Sequence, residues 1–200
     1  MLIEALILGM IIGKLRGGNL KRLGYFSMKL PILLLISFLM MLVTSILIAM
    51  GNPTVIQHRM KLYIFAYCIL FIVLFFNLHN KSLWFILIGA IANFAAIVLN
   101  QGSMPVDMVL LEKMNFENML TSINNGTLPN YIPLTEAAPL TFYLGRQWVV
   151  PFSYPLRQIF SIGDAFISLG LFFFIQGVMH SRIYRKASGI IRFDHHGRVR

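Results

Sequence analysis

Charge is scarce in this sequence. Asp, Glu, Lys and Arg make up 12% of its 200 residues, against roughly 25% in a soluble domain. Beside a hydrophobic share of 58% and a mean hydropathy of +0.75, that scarcity excludes a soluble enzyme and a disordered chain. Carboxylates are scarcest, seven against seventeen Lys and Arg, so few groups are available for acid–base chemistry. Cysteine occurs once, at Cys68, which rules out an internal disulfide, and a thiol inside an apolar span is inert. The sequence holds no Gly-rich phosphate loop, no nucleophile elbow and no pair of metal ligands on one helix, and it asks for no cofactor. It also lacks the internal repeats expected of a transporter.

Long apolar runs take the place of charge. A membrane crossing needs about 17–25 mostly apolar residues, and Leu30–Met50, Leu62–Leu78, Leu83–Leu99 and Ile159–Met179 qualify. A fifth run, Leu2–Gly13, covers only about 18 Å at about 1.5 Å per residue. It either crosses a thinned bilayer or inserts part-way. The expected fold is all-α: one polytopic membrane helix bundle over residues 1–200, with five spans, the first one short.

The basic residues set the orientation. With the N-terminus outside, twelve Lys and Arg flank the inner side and five the outer. Glu4 lies early in the first apolar run and Lys14–Arg22 follows it, the reverse of a cleavable signal peptide. The reading is N-out and C-in, in a bacterial plasma membrane. The net charge of +10 then belongs to membrane flanks and not to nucleic-acid binding. Anionic lipid is the expected partner of the basic inner loop and of the tail 181–200, at about 1 kcal/mol per cation. Asp194-His195-His196 in that tail has no preformed third ligand and makes no metal site.

Residues 100–158 form the one sizeable segment outside the membrane and hold six of the eight prolines. Ser103 as cap, Pro105 in the first turn and Asp107 at the positive end of the dipole predict a helix. Phe116, Met119, Leu120 and Ile123 recur at i, i+3, i+4 and i+7, an apolar stripe that Asn124-Asn125-Gly126 ends. Beyond it, a Pro-rich aromatic loop carries Tyr131, Phe142, Tyr143, Trp148, Phe152 and Tyr154. Thr141–Leu144 and Gln147–Val150 are expected to pair as a hairpin around Gly145-Arg146. This outer segment either rests at the headgroup level or forms a lid, with Phe116, Leu120 and Trp148 meeting a small ligand, a lipid or a membrane-protein partner.

Ionisable groups inside spans are costly and call for a reason. Two acids qualify, Glu4 and Asp164. Arg157, Ser161 and Asp164 stand at i, i+4 and i+7, which would place them on one helix face, with Ser168 beyond. Asn93 in the fourth span wants a partner that Asp164 or a carbonyl can supply. Ala5, Gly9 and Gly13, and Gly89, Ala92, Asn93 and Ala96, are small-residue stripes suited to close helix packing.

Three stretches carry a family resemblance. They are Met1–Leu23 with Gly13-Lys14-Leu15-Arg16-Gly17-Gly18, the turn Asn100-Gln101-Gly102-Ser103-Met104-Pro105-Val106, and Ile159-Phe160-Ser161-Ile162-Gly163-Asp164. Through them the chain resembles a small bacterial multi-pass membrane family catalogued only as a domain of unknown function. A second resemblance is local. Phe160–Gly170 is similar to the last-helix motif of lipoprotein signal peptidases, in which the aspartate matching Asp164 is one of two catalytic carboxylates. Ser161 stands where that motif has Asn, and its second, upstream aspartate segment is missing.

Two functions follow from these readings. The first is a non-catalytic bundle that binds a partner protein, a lipid or a small hydrophobic ligand at its outer face, through Asn93, Arg157, Ser161, Phe116, Leu120 and Trp148. The alternative is an intramembrane aspartyl peptidase using Asp164 and a second carboxylate.

Overall fold

The computed structural model describes residues 1–25, 28–150 and 157–181. The tail beyond Ser181, with its basic residues and Asp194-His195-His196, lies outside them. Helices dominate: α1 (Leu2–Leu15), α2 (Pro31–Ala49), α3 (Pro53–Asn77), α4 (Ser82–Leu99) and α7 (Ile162–His180) form the bundle. Of these, α2, α3, α4 and α7 are long and apolar enough to cross a membrane. They turn large side chains such as Ile32, Phe38, Phe75 and Ile91 outward, as lipid-facing helices do.

Helix α3 starts nine residues before the expected Leu62. Asn52 caps it by accepting from the Val55 amide at 3.2 Å, and Pro53 fits the first turn. The added turns carry Gln57, His58, Arg59 and Lys61, polar residues that hydropathy alone excludes. With 25 residues, α3 is about 37 Å long and outreaches a hydrocarbon core of about 30 Å.

Helix α1 runs parallel to α7 along nearly its whole length. At one end Gln158 meets both Glu4 and the Met1 amino group. At the other, His180 Nε2 lies 3.1 Å from the Arg16 carbonyl oxygen, and Arg22 donates to the Met179 carbonyl at 2.8 Å. Between them, Ala5, Gly9 and Gly13 form the buried face. A Cβ at Gly9 would lie 3.2 Å from Ile175 Cβ. Gln176 reaches across to donate to the Gly9 carbonyl at 2.8 Å.

Helices α4 and α7 approach even more closely. A Cβ at Gly163 would stand 2.7 Å from the Gly89 carbonyl, and one at Gly89 or Gly170 would stand 2.8 Å from a backbone nitrogen of the facing helix. Here the small-residue stripe of α4 meets glycines of α7, so backbone packs on backbone. Helix α2 packs on α3. Tyr67, Leu70 and Leu74 join Ala90 in the core that links this hairpin to α4.

Residues 100–150 and 157–160 fold into a cap over one end of the bundle. It contains β1 (Met104–Val106), α5 (Met108–Lys113), α6 (Glu117–Asn124), β2 (Tyr131–Pro133), β3 (Trp148–Val149) and β4 (Ile159–Phe160), with 3₁₀ turns at Leu134–Glu136 and Pro139–Leu144. Three expectations change here. The helix expected after Ser103 starts at Met108, with Asp107 as its cap, accepting from Val109 and Leu110. Ser103 and Pro105 do not start it: Ser103 donates to the Pro129 carbonyl at 2.7 Å, and Pro105 lies in β1, parallel to β2. The helix also breaks at Asn115, whose φ of 57° is left-handed, so the apolar stripe belongs mainly to α6. Finally, Trp148–Val149 pairs antiparallel with Ile159–Phe160, not with Thr141–Leu144, which winds into a 3₁₀ turn. The aromatic and apolar residues found long-range partners that no local turn signal announces.

The stripe does not lie bare. Phe116, Met119, Leu120 and Ile123 pack with Val106, Leu111, Leu128, Tyr131 and Ile159 as the cap's own small core. Asn100 seats the cap on α4. Its amide donates to the Ala96 carbonyl at 2.6 Å and to the Thr141 hydroxyl at 2.9 Å, while its carbonyl oxygen accepts from the Ala138 amide at 2.8 Å.

Candidate functional site

The start of α7 positions the polar centre. Ser161 is the N-cap: its hydroxyl accepts from the Asp164 amide at 3.0 Å, and Asp164 Oδ2 accepts from the Ser161 amide at 3.2 Å. This reciprocal capping box satisfies two otherwise orphaned donors. Asp164 therefore sits in the first turn of α7. Arg157 precedes the helix and shares no helix face with it, because Ile159–Phe160 is extended.

Two further elements close on Asp164. From α4, the Asn93 amide donates to Asp164 Oδ1 at 2.8 Å, and Asn93 Oδ1 accepts from the Ser161 hydroxyl at 2.7 Å. Asn93 is 7% exposed and Ser161 fully buried, so these bonds form out of water, where leaving them unmade is costly. From the cap, Arg146 Nε stands 3.6 Å from Asp164 Oδ2. Both carboxylate oxygens are thus engaged.

Arg146 is a residue of this candidate site that sequence reasoning missed. In the sequence it is one of five outer Lys and Arg, and the signal that points to it is that a semi-buried acid requires a counter-charge. Its backbone is pinned beside β1, donating to the Pro105 carbonyl at 2.8 Å and accepting from the Asp107 amide at 3.0 Å. Its guanidinium donates to the Tyr131 hydroxyl at 2.9 Å and lies 5.4 Å from that ring's centre. Burial opposes the Arg146 charge, but Tyr131 and Asp164 outweigh it and hold the guanidinium above its ordinary value.

A cavity of about 580 Å³ opens between this polar centre, the start of α1 and the cap. Its apolar wall comes from Val106, Leu111, Phe116, Met119, Ile159 and Phe160. Its polar groups are Glu4, Arg146, Arg157, Gln158 and Asp164. Glu4 is the other acid on the wall, and it is held by the Met1 amino group and Gln158. Arg157 donates to the Met114 carbonyl at 3.5 Å and has no carboxylate within ion-pair distance among the described residues.

Met1 and Glu4 also line an apolar groove of about 390 Å³ between α1 and α7, walled by Ala5, Leu8, Ala165, Leu169 and Phe172. Of the expected site residues, Phe116, Arg157 and Asp164 meet at the 580 Å³ cavity. Asn93 and Ser161 hold Asp164 from behind. Leu120 is spent in the cap's core, and Trp148 is 49% exposed on β3, away from the cavity wall. Their neighbours Met119 and Phe160 face the space instead.

No curated protein and no solved structure matches this chain. A family model does, over residues 25–176. That span includes the Asn100–Val106 turn that seats the cap and the Ser161–Asp164 capping box. The chain belongs to the family of unknown function DUF5317.

Proposed function

We propose that this chain is a five-span protein of a bacterial plasma membrane, N-out and C-in, that binds an amphipathic, lipid-like molecule at its outer face without chemically changing it. The observation that carries the reading is the cavity of about 580 Å³ beneath Phe116 and Met119, which shares Met1 and Glu4 with an apolar groove running down between α1 and α7. A tail fits the groove, and a negatively charged head fits beside Arg157, the cavity cation with no carboxylate partner among the described residues. The orientation rests on the excess of basic residues at the end opposite the cap. The parallel course of α1 beside α7 supports α1 as the fifth, short span.

In this reading Asp164 is a structural carboxylate. Proton sharing between two acids needs them side by side, whereas Asp164 accepts from Ser161 and Asn93 and pairs with Arg146, and Glu4 is engaged elsewhere. Native mass spectrometry on protein released from nanodiscs of phosphatidylcholine containing phosphatidylglycerol tests the proposal. One retained anionic lipid is expected, lost in Met119→Trp, which fills the cavity, and replaced by zwitterionic lipid in Arg157→Gln. Equal retention in all three proteins overturns it.

A further inference from the structure

Behind the Arg146–Asp164 pair lies a second space of about 210 Å³, which the same two side chains also line. It sits in the seam between the α2–α3 hairpin, α4 and the cap, and its walls differ from those of the outer cavity. Four elements each bring a hydrogen-bonding side chain to it: Ser45 of α2, Tyr63 and Tyr67 of α3, Asn93 of α4 and Tyr131 of β2. So dense a polar lining at the end of a membrane bundle demands an occupant, because buried polar groups are normally satisfied.

Two of its groups are unmet. Asn130 Oδ1 is buried with no hydrogen-bond partner among the described residues. The hydroxyl of Tyr67, a residue 8% exposed, has none among them either. Asn130 Oδ1 is an acceptor, and the Tyr67 hydroxyl serves as donor or acceptor. The remaining groups are already engaged: Tyr63 shares a hydrogen bond with Ser45 at 3.1 Å, and Tyr131 accepts from Arg146.

Charge narrows the choice. Among the described residues, the chamber's lining holds one cation and one anion, Arg146 and Asp164, paired with each other at 3.6 Å. An anionic guest would face the Asp164 carboxylate and a cationic one the guanidinium, each entering a space with no charge left to receive it. The volume, at about 30 Å³ per water, equals that of about seven waters. We infer that this chamber is a second binding site, for a small neutral polyol whose hydroxyls both donate and accept, set against the rings of Tyr63 and Tyr67 and the side chains of Met41, Met104 and Ile97. It stands whether or not the outer cavity takes a lipid.

Saturation-transfer difference NMR on the full chain in detergent micelles tests this, with glycerol, erythritol and ribitol as neutral probes and glycerate as their charged counterpart. The neutral probes receive saturation and displace one another, and glycerate does not. Tyr67→Phe, which removes one hydroxyl, and Asn130→Leu, which removes the acceptor, each weaken binding about tenfold. Tyr67→Phe keeps the test decisive if Asn130→Leu does not fold. Absence of transfer to every neutral probe in the unmodified chain means a chamber holding water alone and overturns the inference. So does transfer that both variants leave intact, and so does tighter binding of glycerate.

Discussion

Asn93 donates its side-chain amide to Asp164 across the α4–α7 contact at 2.8 Å. Its own carbonyl oxygen accepts from the Ser161 hydroxyl, so one amide stitches both halves of the capping box to the neighbouring helix. The end of α7 is fixed by three elements at once, and mutations there should read as losses of stability.

Asp164→Ala strips the acceptor from Asn93, from the Ser161 amide and from Arg146 together. A stability loss of about 1–3 kcal/mol for each buried group left unsatisfied is expected, read as a lowered melting temperature in detergent. Asp164→Asn keeps an acceptor and should fall between that variant and the unmodified chain. A melting temperature unchanged in Asp164→Ala would remove the structural role assigned to this carboxylate.

Glycines on one helix should respond in opposite ways. At Gly163 an added methyl would stand 2.7 Å from the Gly89 carbonyl, whereas at Gly177 nothing lies within 4 Å. Gly163→Ala is expected to destabilise by about 1–3 kcal/mol through overpacking. Gly177→Ala should be neutral or stabilising by up to about 1 kcal/mol, since Ala is the better helix former. Parallel thermal melts of the two variants check the contrast.

Arg146→Gln leaves Asp164 without its counter-charge, and a loss of about 1–3 kcal/mol is expected. Because the folded protein holds the Arg146 charge above its ordinary value, that contribution is fully present below the ordinary value. It fades only as pH rises through the higher folded value. The guanidinium should therefore add no slope of its own between about pH 6 and 9, and stability curves of the two proteins over that range measure it. A deficit that vanishes within this window because Arg146 titrates would contradict the assignment.

Membrane sidedness can be read with single cysteines in a Cys68→Ala background. Asn125→Cys in the cap and Leu2→Cys at the start of α1 should react with an impermeant maleimide added to intact cells. Ser188→Cys should react only after lysis. Labelling of Ser188→Cys alone on intact cells inverts the orientation, and protection of Leu2→Cys argues against α1 as a crossing.

Spans were legible because apolarity over about 20 residues is a local property, and α2, α4 and α7 fall within a few residues of the expected bounds. The start of α3 was not, since a cap and a proline outweighed its polar first turns. In the cap, Asp107 and the apolar stripe were visible. The β1–β2 and β3–β4 pairs were not, being contacts between residues far apart in sequence. At the site, Asp164, Ser161 and Asn93 stood out because polar groups in spans are rare. Arg146 did not, because a cation in a loop is ordinary until the fold brings it to an acid.

The parallel run of α1 beside α7 also orders events in time. The Met1 and Glu4 side of the cavity is made long before the Gln158 side, 157 residues later in the case of Met1. At a synthesis rate of about 5–20 residues per second, that gap is roughly 8–30 s. Through that interval the Ala5, Gly9 and Gly13 face of α1 lacks the α7 surface that buries it. The cavity comes into being when the two helices meet, so a nascent chain halted before α7 has a start to the bundle but no enclosed space beside it.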